Sequence, residues 1–190
     1  MRTLKLPMLG VLAVSAVACT AITDFDSWAE HDLQPTEHVA VFAPADSHAD
    51  AQRLENRYCE QVIAVNPRVN CEPLTTKFPV GQEVSESHLK AVLDETSATH
   101  LVSINLLQST PRTSTNGTLI GDFVWGHNNH YENNLHQVQA LNLDTQEIAY
   151  SAQLRSSSQG SLTQNNYLTD VTKRIVRSQQ RSGLIAAVGN

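Results

Sequence analysis

Residues 135–155 read as two β-strands joined by a tight turn. In the second strand Ile148, Tyr150, Ala152 and Leu154 alternate with Ser151, Gln153 and Arg155, the period of two that sends apolar and polar side chains to opposite faces of a sheet. Asp144-Thr145-Gln146 lies between Leu135–Leu143 and Glu147–Arg155 as the connecting turn, so the pair is expected to be an antiparallel hairpin. Its apolar face needs a covering layer.

The remaining segments supply candidates for that cover and for further strands. His38–Ala43 (HVAVFA) is short, apolar and stopped by Pro44, which suits a strand buried on both faces. Ser47 heads a predicted helix, with Asp50 favouring its positive end. Ala51, Leu54, Tyr58 and Val62 keep one face apolar as far as Asn66-Pro67. Val69–Leu74 is a second strand, and Ser85 caps a second helix in which Leu89, Val92 and Leu93 share a face. In Ala98–Leu107 the apolar Val102, Ile104 and Leu106 alternate with Ser103 and Asn105, the mark of a sheet with one polar or shallowly buried face. A closing helix is predicted over about Thr163–Arg181, with Leu168, Val171, Ile175 and Val176 on one stripe. Lys173, Arg174, Arg177 and Arg181 lie toward its end and Gly183 stops it. The order is β-α-β-α-β-β-β-α, in one domain over residues 38–190. Residues 109–134, dense in Ser, Thr, Asn and Gly, form a polar insertion.

The N-terminus indicates the compartment. Arg2 and Lys5 precede the apolar run Leu6–Ala18, the arrangement of a secretory signal peptide over residues 1–18 and too short to span a bilayer. Ala16-Val17-Ala18-Cys19 resembles a bacterial lipobox, with Ala16 in place of the usual Leu, which implies that Cys19 carries lipid. The same residues also read as an ordinary A-x-A cleavage site that would release a soluble periplasmic or secreted protein. Acyl chains on Cys19 would anchor the chain without a spanning helix, with residues 19–37 as a tether. Thr20 and Ala21 follow without the early Asp of inner-membrane retention, so the resemblance favours the outer membrane, facing the periplasm. Removing a leader that holds Arg2 and Lys5 from 13 basic and 19 acidic residues leaves 11 − 19 = −8, which argues against a nucleic-acid partner. Cys59 and Cys71 remain, a candidate disulfide in an oxidising compartment or else two buried thiols.

The order of elements, the segment Asn142–Ala152 (NLDTQEIAYSA) and the closing helix before Gly183-Leu184-Ile185 resemble a group of envelope lipoproteins that includes the N-terminal domain of TolB, CsgG and LpoB. Their hairpin reads D-x-x-T-G-E-x-x-W-S-A, where this chain has Gln146 for the Gly and Tyr150 for the Trp. The resemblance implies an α/β fold, a mixed sheet flanked by helices like that of anticodon-binding domains, used for protein contacts. The Pro-rich arm of the LpoB type and the pore-forming segments of the CsgG type are lacking.

Within the insertion, Phe123, Trp125 and Tyr131 are candidate partner-binding residues, because aromatic anchors in a polar rim concentrate binding energy; the bland reading is that they cover an end of the sheet. His127, His130 and His136 lie near Asp122 and Glu132 and are the alternative, a zinc site or hydrolase centre. There is no HExxH, and His136 at the head of a strand is expected to point to solvent. GxSxG is not found, and the glycines form no phosphate loop. The cationic stripe on the last helix is expected to complement the helix dipole, or else to meet an acidic partner or lipid headgroups. The expectation is thus a non-enzymatic, cofactor-free binding or assembly factor, lipid-anchored and engaging an envelope protein. A periplasmic metal-binding protein or hydrolase is the alternative, and a structural homo-oligomer the third reading.

Overall fold

The computed structural model describes residues 21–31, 33–45, 47–82, 84–120, 123–159 and 165–187. Cys19 and the leader lie outside them. Six strands form one sheet: β1 (Ala21–Ala29), β2 (His38–Phe42), β3 (Asn70–Pro73), β4 (His100–Ile120), β5 (Phe123–Asn142) and β6 (Ile148–Gln159), in the order β1-β6-β5-β4-β2-β3. β2 is parallel to both β3 and β4, and the other pairs are antiparallel. With helices α1 (His48–Val65), α2 (Glu86–Asp94) and α3 (Asn165–Ser182), this is the expected α/β arrangement around a mixed sheet.

Local chemistry sets the helix ends. Ser47 Oγ accepts the Asp50 N–H at 3.1 Å and Ser85 Oγ accepts that of His88 at 3.3 Å, each satisfying a free donor of a first helical turn. Gly183, at φ +90, takes the left-handed turn after α3. In the 142–147 turn Asn142 Oδ1 accepts the N–H groups of Asp144 and Thr145, and Gln146 adopts φ +59. That is the position where the envelope-lipoprotein hairpins carry Gly.

The main core lies between the sheet and α1 with α3. Val102 and Ile104 of β4, Val138 and Ala140 of β5, and Tyr150 and Leu154 of β6 meet Tyr58 and Val62 of α1 and Val171, Ile175 and Val176 of α3. Tyr58 donates to Gln179 Oε1 at 2.7 Å, joining the two helices inside it. On the other face a smaller cluster of Ala40, Leu74, Phe78 and Leu101 is covered by α2. Val39 and Val41 face one layer and Ala40 the other, so β2 is buried on both sides. Beyond α2 that face carries Ser103, Asn105, Gln137, Gln139 and Gln153, none of them buried.

Glu55 is a buried acid that links three elements. Its carboxylate accepts the N–H of Ala43, and the N–H and hydroxyl of Thr75. Burial pushes its pKa up, and these hydrogen bonds offset part of that rise. Cys59 of α1 and Cys71 of β3 are brought side by side, with Cα atoms 5.3 Å apart, a separation that a disulfide can bridge.

Two expectations need correction. Residues 19–37 were expected to be a tether, yet Ala21–Ala29 is the edge strand β1, paired with β6 from Ala21↔Ser157 to Ala29↔Tyr150. Its alternation is masked by the exposed Asp24 and Asp26, the kind of charge that keeps an edge strand from pairing with other chains. Residues 109–134, expected as an insertion between strands, instead continue β4 and β5.

Candidate functional site

β4 and β5 outrun the sheet. Among the described residues β6 pairs with β5 as far out as Tyr131↔Gln159, while β4 and β5 go on pairing from Thr113↔His130 to Ile120↔Phe123. Eight further pairs, at ~3.3 Å per residue, make a two-stranded arm of about 26 Å. Its stalk is polar (TSTNGT and GHNNH), and Leu119, Ile120, Phe123, Val124 and Trp125 stand at its outer end. Phe123 and Trp125 therefore occupy the arm's tip, and Tyr131 its base opposite Arg112; their side chains lie outside the described structure. Ala21 pairs with Ser157, and Ser157 with Asn133, so β1 begins at the end of the sheet from which the arm extends.

The candidate histidines are strung along β5. His127 is opposite Asn116, His130 opposite Thr113, and His136 opposite Leu106 and Leu154. Six residues of strand put His136 ~20 Å from His130 along the chain, far beyond the reach of one metal ion. Among the described residues no three His, Cys, Asp or Glu side chains gather as a metal site.

His136 itself is a correction. It is buried, 4% exposed, because it shares the β5 face of Val138 and Ala140, which turn toward α3. Its Nε2 shares a hydrogen bond with the Tyr167 hydroxyl at 2.7 Å, and that hydroxyl is 2.8 Å from Ser156 Oγ. Burial pushes its pKa down to about 4, so the ring is neutral at pH 7. Asn134 lies next along this face, with neither amide atom hydrogen-bonded among the described residues. Ser156 contacts the tyrosine hydroxyl, and among the described residues no carboxylate is hydrogen-bonded to the imidazole, so the described cluster lacks the direct base–nucleophile contact of nucleophilic catalysis. It forms a polar layer where the core meets the base of the arm. Asn134, Ser156 and Tyr167 were not legible as partners of His136, since they come from three elements and no short-range spacing connects them.

Two grooves flank the sheet. One, of about 700 Å³, runs beside α2 and is lined by Leu89, Leu93, Leu101, Leu141 and Leu143. The other, of about 400 Å³, lies between β1 and α3 and is lined by Phe25, Trp28, Arg174, Arg177 and Arg181. No helix among the described residues is long and apolar enough to cross a membrane.

No family profile and no curated protein sequence matches the chain. Among solved structures it is similar to a PelC dodecamer from Paraburkholderia phytofirmans, at TM-score 0.49 and 10% identity over 87% of this chain and 99% of that one. A minor lipoprotein from Acinetobacter baumannii is similar at TM-score 0.35 and 16% identity, covering 77% of this chain and 92% of the other. A PDZ domain protein from Parabacteroides distasonis is similar at TM-score 0.40 and 7% identity, over 85% of this chain and 36% of that one.

Proposed function

We propose that this protein is a non-enzymatic binding or assembly factor of the bacterial envelope, anchored through lipid on Cys19 at the periplasmic face of the outer membrane. Its contact element is the β4–β5 arm, and its partner is an envelope protein. The arm carries the reading. An isolated two-stranded ribbon is marginal in water, and here eight residue pairs stand beyond the last pair that a third strand supports among the described residues. A partner seated on the arm supplies the missing support, and the aromatic residues at its tip supply anchors. The leader and Cys19 support the compartment.

The test is cross-linking in cells followed by mass spectrometry. Three proteins are compared: the wild type, Cys19→Ser, and a variant in which residues 113–130 are replaced by an Asn-Gly turn. Cross-links from the arm to one envelope protein, weakened by Cys19→Ser and abolished by the shortened arm, are expected. Equal cross-linking by the shortened arm overturns the assignment of the arm. Cross-links to copies of this chain alone make it a self-assembling structural protein.

A further inference from the structure

The groove between β1 and α3 gathers three arginines at the edge of the sheet. Phe25, Ser27 and Ala29 of β1 turn toward α3. The Arg174 guanidinium lies 5.1 Å from the centre of the Phe25 ring, and Ser178 donates to Ser27 Oγ at 3.3 Å. Arg174, Arg177 and Arg181 are spaced by three and four residues, so they share one face of α3; Trp28, 57% exposed, also lines the groove, although its register opposite Ser151 starts it from the side of β1 that Asp24 and Asp26 take. None of the three is ion-paired with a described carboxylate. Asp24 and Asp26 pair across from Arg155 and Gln153, and therefore face the other side of the sheet. Complementing the helix dipole accounts for Arg181, the one basic residue in the last turn. It does not account for Arg174 and Arg177, because the dipole's effect fades beyond that turn. In a chain of net charge −6, three arginines on one helix face, none paired with a described carboxylate, mark a surface for anions.

We propose that this groove binds the anionic phospholipid headgroups of the membrane that holds Cys19, with the β1 edge laid along the bilayer surface. The proposal rests on the reading of Cys19 as the lipid-bearing residue. Charge complementarity and position select the occupant: β1 begins two residues after Cys19, so its length runs out from the anchor within reach of the headgroups. Guanidinium groups bind phosphate through paired N–H donors, each cation near an anionic leaflet adds to attachment, and indole rings settle at headgroup depth. The contact also shields the unpaired backbone of an edge strand.

The experiment uses the full chain purified from membranes with Trp125→Phe, which leaves Trp28 as the sole tryptophan. It is reconstituted into vesicles of phosphatidylethanolamine with brominated acyl chains, with or without phosphatidylglycerol. Trp28 emission is expected to shift to the blue and be quenched only with phosphatidylglycerol, and the effect is reversed by ~1 M salt, where charges are screened within ~3 Å. Arg177→Gln with Arg181→Gln, both at exposed positions, should return quenching to the neutral-vesicle level with an unchanged circular dichroism spectrum. Equal quenching in neutral vesicles, or none in either, overturns the proposal, as does the same blue shift from inorganic phosphate without vesicles. Retention on neutral vesicles, compared with Cys19→Ser, tests the anchor separately.

Discussion

β4 and β5 each contain two different kinds of strand. Near the core, His100–Leu106 pairs with His136–Asn142, flanked by β2 and β6, and Val102, Ile104, Val138 and Ala140 are fully buried. Farther out, Thr113–Ile120 and Phe123–His130 pair, among the described residues, with each other alone. The inner halves are written by alternation, which fixes the face each residue takes. The outer stalk has no such alternation, and strands of that kind have weakly specified register.

The sharpest way to break this contrast is to truncate one residue in each half. Ile104→Ala should cost about 3–4 kcal/mol, as for other fully buried side chains, whereas Leu119→Ala should change stability by less than ~0.5 kcal/mol. Urea unfolding measures both, and equal losses would mean that the arm is part of the folded core. Replacing Cys59 and Cys71 together by Ala should cost about 3 kcal/mol if the pair is bonded, from the loop of sequence separation 12 that it closes. Thiol labelling before and after reduction establishes the bond independently.

The boundary between the halves is testable by pH. The folded pKa of His136, about 4, lies below the ~6.5 of an exposed imidazole. The unfolded chain therefore takes up the proton first, and stability present above ~6.5 is lost as pH falls toward 4. Between pH 7.5 and 5 the loss should be about 2 kcal/mol, and His136→Gln should flatten that slope. Glu55 acts in the opposite sense: with its pKa raised, its contribution is fullest at low pH and declines as pH rises through the folded pKa, so the comparison with His136→Gln isolates the histidine. The smallest effect is at the 142–147 turn. Gln146→Gly relieves a side chain held at φ +59 and should raise stability by ~0.5–1 kcal/mol, net of the extra freedom glycine gains when unfolded; a loss would mean that the Gln side chain is engaged.

How much of this was legible follows from the period of each segment. The 135–155 hairpin, β2 and the three helices were readable because burial on one face or both leaves a pattern or an apolar run. β1 was not, although Phe25, Ser27 and Ala29 do alternate with Asp24, Asp26 and Trp28; an edge strand half covered by one helix shows too few apolar residues to stand out. His136 was misplaced for a different reason. Its burial depends on Tyr167, 31 residues away, and on the parity that β5 inherits from its pairing. The grooves depend on two distant elements meeting, which no local spacing announces.

The place of β1 in the sheet also sets an order of events in time. Its partners, Tyr150 to Ser157, lie more than a hundred residues downstream. In a chain that emerges from its N-terminus, residues 21–29 therefore wait for β6 before they have a strand to pair with, and the outermost strand of the sheet can be laid down only after the one beside it.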